Sequence, residues 1–202
     1  MKKIRTAIQR FILNLKRPSK SKALKMMRAR GDTKESYTIR EAVTADIPKL
    51  SALHVKAWIE THSYAKRPPA YAIREHQWKE EFGMQDGSWF CYVIEDTNGE
   101  LIGFAKGKKY AHTDLPGYAG ELNKIYLLQT HQRIGLGRRL LCQVARRFLS
   151  MNISSMVLFG EASNPSIYFH KAMGGEKLYA KNGEFHGGFG WKDLNTLITL
   201  CK

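Results

Sequence analysis

Cysteine is scarce in this 202-residue chain, and its three copies (Cys91, Cys142 and Cys201) are far apart and outside any CxxC spacing. Neither a disulfide scaffold nor a cysteine-based zinc site is expected, and a reducing compartment such as the cytoplasm fits best. Long apolar runs are missing too. None approaches the roughly twenty residues that a bilayer span needs, which argues against a transmembrane protein. His54, His62, His76 and His112 share no ligand-like spacing with one another or with a cysteine, so no metal is expected. Acid is nearly absent from the first 34 residues, where twelve Lys/Arg stand against Asp32 alone. The rest of the chain is close to balanced at +4, so +11 of the net +15 belongs to an N-terminal arm and not to a nucleic-acid-binding body.

What is present suits one folded domain with an appendage, since 43% of residues are hydrophobic and 11% aromatic. The domain boundaries are read as a basic arm over 1–36, a body over 37–194 and a short tail over 195–202. In the arm, Ile4, Ile8, Phe11, Ile12 and Leu15 share one helical face, and Pro18 ends the pattern. A second basic stretch, Lys20 to Arg30, has no clear apolar face. Three readings fit: a solvated tail, an amphipathic helix on an anionic surface (membrane, RNA or ribosome), or an organelle-targeting segment.

In the body, residues 37–43 alternate as a strand. Thr44 is placed to cap a helix that carries Ile47, Leu50, Leu53, Ala57 and Trp58. Residues 61–88, broken by Pro68-Pro69, read as a short helix or two with loops. Strands at 91–94 and 100–106 flank Asp96-Thr97-Asn98-Gly99, a hairpin signal because Asn-Gly supplies the positive φ of a tight turn. Further strands are expected at 121–128, 155–160, 176–180 and 184–191, with helices at 135–149 and 164–173. The order predicts a mixed α/β sheet with helices on its faces.

The chemistry concentrates after the strand Leu122–Leu128, where Gln132-Arg133-Ile134-Gly135-Leu136-Gly137-Arg138 opens into an amphipathic helix. The first amides of a helix have no intrahelical acceptor and lie at the positive end of its dipole, so the turn can cradle an anion. Gly135 and Gly137 leave room for phosphate oxygens, and the neighbouring arginines add charge. The third glycine of the dinucleotide fingerprint is missing, and no Gly-Lys-Ser/Thr follows.

These residues resemble the acetyl-CoA motif of the GNAT family of N-acetyltransferases. Asn164-Pro165-Ser166-Ile167-Tyr168-Phe169-His170-Lys171-Ala172-Met173-Gly174-Gly175 is similar to the family's next motif. The opening Ile39-Arg40-Glu41-Ala42 and the ending Phe189–Leu194 fit as well. The resemblance implies a mainly antiparallel sheet whose central strands, 122–128 and 155–160, splay apart to admit the pantetheine arm. It implies acetyl-CoA as co-substrate and acetyl transfer to an amine by direct attack in a ternary complex. Cofactor contacts would come from Ile125, Tyr126, Leu127, Gln132, Arg133, Ile134, Gly135, Leu136, Gly137, Arg138 and Asn164.

Counting back from Gly174, the tyrosine the family uses to protonate the leaving thiolate falls on His170, with Tyr168 two residues earlier as the alternative. Glu121 is the candidate base. Glu161 is a second carboxylate that could bind the substrate, and both would suit a positively charged acceptor. Trp58, Glu60 and Tyr64 would line the acceptor pocket. Relatives often dimerise, so a homodimer is compatible with the resemblance. The contrasting reading is a catalytically weak acyl-CoA-binding module tethered by its basic arm.

Overall fold

A computed structural model describes residues 18–33, 35–62, 67–84 and 86–201. The apolar face read at 4–15 and the pocket candidate Tyr64 lie outside them. Helices α1 (Lys20–Ala29), α2 (Ile47–Thr61), α3 (Tyr71–Gly83), α4 (Leu136–Ser150), α5 (Ser166–Ala172) and α6 (Leu194–Thr199) accompany seven strands. These are β1 (Thr38–Glu41), β2 (Trp89–Glu95), β3 (Leu101–Lys109), β4 (Gly120–Leu127), β5 (Met156–Leu158), β6 (Glu176–Leu178) and β7 (Gly188–Trp191). They form one sheet in the order β1-β2-β3-β4-β5-β7-β6. The β1–β2, β5–β7 and β6–β7 pairs are antiparallel, whereas β4 and β5 run parallel. The expected mixed, mainly antiparallel sheet is therefore present.

The registered β4–β5 pairs are Gly120↔Met156 and Glu121↔Val157, although β4 continues to Leu127. The two central strands thus part after two residues. This is the splay that the family resemblance implied.

By internal contacts the chain falls into two compact units, which share β3, β4 and α4 along their length. One comprises residues 18–106 and 124–140, the other 107–123 and 141–201. In the first, α1 starts at Ser19, whose hydroxyl accepts the Lys22 amide, and buries Ala23 and Met27 one turn apart. The stretch read as lacking an apolar face has a narrow one. Arg30 follows, donating to Asp32 and to the hydroxyl of buried Tyr37, which itself donates to Asp32 at 2.7 Å. Helix α2 begins later than Thr44, because Thr44–Asp46 is a 3-10 turn and Asp46 accepts the Val43 amide. Arg40 holds the same carboxylate with both terminal nitrogens and reaches Glu95 with its Nε. Residues 71–83, read as helix and loop, form the single helix α3 with Trp78 buried.

The second unit packs α4 and α5 around Phe148, Met156, Ile167 and Phe189. Its last strand is shorter than expected, since Gly183 and Gly187 turn the chain at positive φ before β7. The tail becomes α6, capped by Asp193, whose carboxylate accepts the amides of Asn195 and Thr196. Cys142 of α4 and Cys201 are joined by a disulfide spanning 59 residues. That corrects the expectation of unpaired cysteines: folding brings α6 back to α4, and no local spacing announces it. Cys91 is free and buried. No helix among the described residues is long and apolar enough to cross a membrane.

Candidate active site

The turn between β4 and α4 lies in the first unit. The Leu128 amide donates to the Ile102 carbonyl, closing β4 against β3. A 3-10 turn, Gln129–His131, then carries the chain to α4. Two side-chain clamps hold it. Gln132 Nε2 donates back to the Leu127 carbonyl at 2.9 Å. Glu60 of α2 accepts the Gln129 amide at 2.7 Å, and its own carbonyl accepts Gln129 Nε2 at 2.9 Å. Glu60, expected to line the acceptor pocket, is thus engaged in holding the turn.

Within the turn, Arg133 adopts φ +68° and Gly135 φ +95°. A left-handed non-glycine residue costs about 1–2 kcal/mol, and such strain gathers where function needs a particular backbone. A Cβ at Gly135 would meet nothing within 4 Å, so the turn opens onto free space there. The first α4 bond runs from the Arg139 amide to the Gly135 carbonyl. The amides of Leu136, Gly137 and Arg138 therefore come before any intrahelical acceptor. Ile134 and Leu136 are buried beneath, while Arg133, Gly135 and Arg138 are exposed above. Ile125, Tyr126 and Leu127 are half-buried along the part of β4 that has left β5. Helix-start amides without an intrahelical acceptor, a helix dipole and two exposed arginines over an apolar base can hold a diphosphate.

In the second unit, Glu121 is buried. One of its oxygens pairs with Lys108 at 3.2 Å and the other accepts Asn123 Nδ2 at 2.6 Å. Helix α5 separates the two acid candidates. His170 is 3% exposed, packed against Phe169, Phe189 and Trp191 on the sheet side, whereas Tyr168 is 54% exposed on the opposite face. Asn164 lies just before α5, and its side-chain oxygen accepts the Ser166 amide. Glu161 is exposed, with the Ser163 hydroxyl 3.4 Å from its carboxylate.

Sequence reasoning missed a cluster in the first unit. His54 of α2, 2% exposed, sits amid the rings of Trp78, Phe104 and Tyr126 at 5.9, 5.1 and 5.4 Å. Its Nδ1, Trp78 Nε1 and Arg74 Nε are shut off from water and have no hydrogen-bond partner. A buried polar atom left so costs about 1–3 kcal/mol. Burial and the charges of Arg74, Lys124 and Lys106 push the His54 imidazole down to about 3, so it is neutral. Burial also lowers Arg74, and no carboxylate pairs with it among the described residues. The signal was Arg74 and Trp78 four residues apart, hidden because that segment did not read as one helix. Trp58 is half-buried and stacks on His62 at 4.6 Å. Among the described residues, no three His, Cys, Asp or Glu side chains are grouped to hold a metal ion.

Residues 50–174 match the acetyltransferase (GNAT) family. A Bacillus subtilis (strain 168) protein named uncharacterized N-acetyltransferase YuaI is 34% identical over 177 residues, covering 82% of this chain and 98% of its own. The fold is similar to that of the PaiA N-acetyltransferase of Thermoplasma acidophilum, solved with coenzyme A. That match has 17% identity and a TM-score of 0.59, covering 77% of this chain and 98% of that one. It is also similar to YncA of Salmonella typhimurium, solved with acetyl-CoA, at 22% identity and a TM-score of 0.59 over 79% and 94% of the two chains. Family match, curated relative and fold agree with the motifs at Gln132–Gly137 and Asn164–Gly175: the chain belongs to the GNAT family of N-acetyltransferases.

Proposed function

We propose that the protein transfers the acetyl group of acetyl-CoA to a primary amine by direct attack within a ternary complex. The observation that carries this reading is the turn at 133–138, with its helix-start amides and open Gly135 face, following a strand that has lost its β5 partner. In related folds PaiA holds coenzyme A and YncA holds acetyl-CoA. In this chain the diphosphate would lie on the 133–138 amides with Arg133 and Arg138, and the pantetheine amides along Ile125–Leu127. Asn164 would meet the arm at the start of α5.

The reaction forms an N–C bond, breaks the C–S bond, and moves one proton from nitrogen to sulfur. Most alkyl amines are protonated at neutral pH, so a base must free the lone pair. Glu121 suits that role because it is a buried carboxylate held in place by Lys108 and Asn123 near the start of β4. His170 is the proposed hydrogen-bond donor to the departing sulfur, since it occupies the sheet-facing side of α5 while Tyr168 faces solvent.

Thiol release from acetyl-CoA with a panel of amines tests the reading. His170→Phe is expected to lower kcat about a hundredfold or more, and Tyr168→Phe to leave it within about twofold. The opposite ranking would move the role to Tyr168. Coenzyme A binding with no turnover on any amine would favour a binding module instead.

A further inference from the structure

The acceptor of the proposed reaction is constrained by chemistry that the cofactor turn does not use. Arg74 Nε and Trp78 Nε1 can only donate hydrogen bonds, and both are closed off from water without an acceptor. They are one helical turn apart on α3, so they share a face. The Trp78 ring of that face meets His54, which in turn meets the ring of Tyr126. Tyr126 belongs to the strand proposed to hold the pantetheine arm, so the cluster borders that strand.

The nearby acids are already spoken for. Glu81 pairs with Lys106, and Glu75 pairs with Lys79 while accepting the Tyr71 hydroxyl. Arg74 keeps part of its side chain at the surface, where Nη1 donates to Gln77. Its guanidinium is therefore part-exposed, with Nε still lacking an acceptor. The other charges acting on His54 come from Lys124 and from Lys106, the latter already paired with Glu81.

We infer that this cluster receives the carboxylate of the acceptor, so that the substrate is an amine that also carries a carboxylate. A carboxylate supplies two planar acceptor oxygens and one negative charge, which match a guanidinium fork backed by an indole N–H. It satisfies donors that the folded protein leaves unmet, and its charge complements that of Arg74, which pairs with no carboxylate among the described residues. A polyamine, carrying only positive charge, would add like charge beside Arg74.

This inference rests on the acetyltransferase reading for the amine end and on Arg74 for the carboxylate end, and the test separates the two. The probes are the twenty common L-α-amino acids, β-alanine and 4-aminobutyrate, each paired with its carboxamide, together with spermidine and cadaverine. Thiol release and ligand-induced thermal shift are read on the full chain and on Arg74→Gln and Arg74→Lys. At least one carboxylate acceptor is expected to exceed its carboxamide by about tenfold in kcat/KM, roughly 1.4 kcal/mol. Arg74→Gln should raise KM for that acceptor by about tenfold with kcat within about threefold, leaving coenzyme A affinity unchanged. Arg74→Lys should fall between the two.

Equal or better use of carboxamides or diamines overturns the inference while leaving acetyl transfer standing. So does an Arg74→Gln enzyme with unchanged KM. If no amine is acetylated, the acetyltransferase reading fails, and thermal shift then decides the inference alone. Stabilisation of the wild type by a carboxylate, absent with its carboxamide and in Arg74→Gln, upholds it. No such stabilisation overturns it.

Discussion

Replacing Glu60 by alanine separates two roles for one residue. If Glu60 holds the cofactor turn, the variant loses a hydrogen bond between a carboxylate and the Gln129 amide at 2.7 Å. Bonds to charged partners contribute about 1.5–3 kcal/mol, and because Glu60 is only half-buried the lower end applies. For a chain of this size, about 1.5 kcal/mol lowers Tm by about 3–6 °C. The loosened turn must then be ordered on binding, so Kd for coenzyme A should rise by about three- to tenfold while the acceptor KM changes little. Glu60→Gln keeps a side-chain acceptor and should lie close to wild type. Calorimetric titration with coenzyme A, thermal melts and acceptor kinetics on the same preparations measure all three quantities. An unchanged Tm and coenzyme A affinity combined with a raised acceptor KM would refute the clamp and return Glu60 to the acceptor pocket.

The remaining predictions concern stability. His54 is held near 3 by burial and by Arg74, Lys124 and Lys106, against 6.5 in the unfolded chain. Below about pH 6.5 the unfolded state binds a proton that the native state refuses, so stability falls as pH drops, at about 1.4 kcal/mol per pH unit from this residue. Urea titrations at pH 7 and pH 5 should show a clearly smaller difference for His54→Gln, and an identical difference would contradict the burial argument. The Cys142–Cys201 bridge closes a 59-residue span, for which chain entropy suggests about 4 kcal/mol. Reductant, or the Cys142→Ala/Cys201→Ala double variant, should lower Tm by several degrees; a Tm insensitive to both would mean that the bridge does not form in solution.

How far the sequence could be read depended on whether the governing contacts are local. The hairpin at Asp96–Gly99 and the amphipathic run that became α4 declare themselves within a few residues, and both form where expected. The turn at 133–138 was legible for the same reason, because strand, glycines and helix start are contiguous. Helix α3 was obscured by Pro68-Pro69 and by aromatic residues scattered around a weak stripe, and the Arg74–Trp78 pair was lost with it. Glu60 and Gln129 are 69 residues apart, and no pattern announces their bond. The Cys142–Cys201 pairing was hidden in the same way. His170 and Tyr168 differ by only two positions, yet helix geometry sends one inward and the other to solvent, a distinction that needs the packing of α5 against β7.

Titration of coenzyme A into the wild-type protein and into Gly135→Val bears on all of this most directly. The substitution has room for its side chain, but it strains a backbone at φ +95° and fills the open face above the amides. Well-folded wild type should bind with measurable heat, and the variant, once its fold is verified by circular dichroism, should bind at least about tenfold more weakly, roughly 1.4 kcal/mol. Equal affinities, or no binding by the wild type, would show that residues 133–138 do not hold the diphosphate.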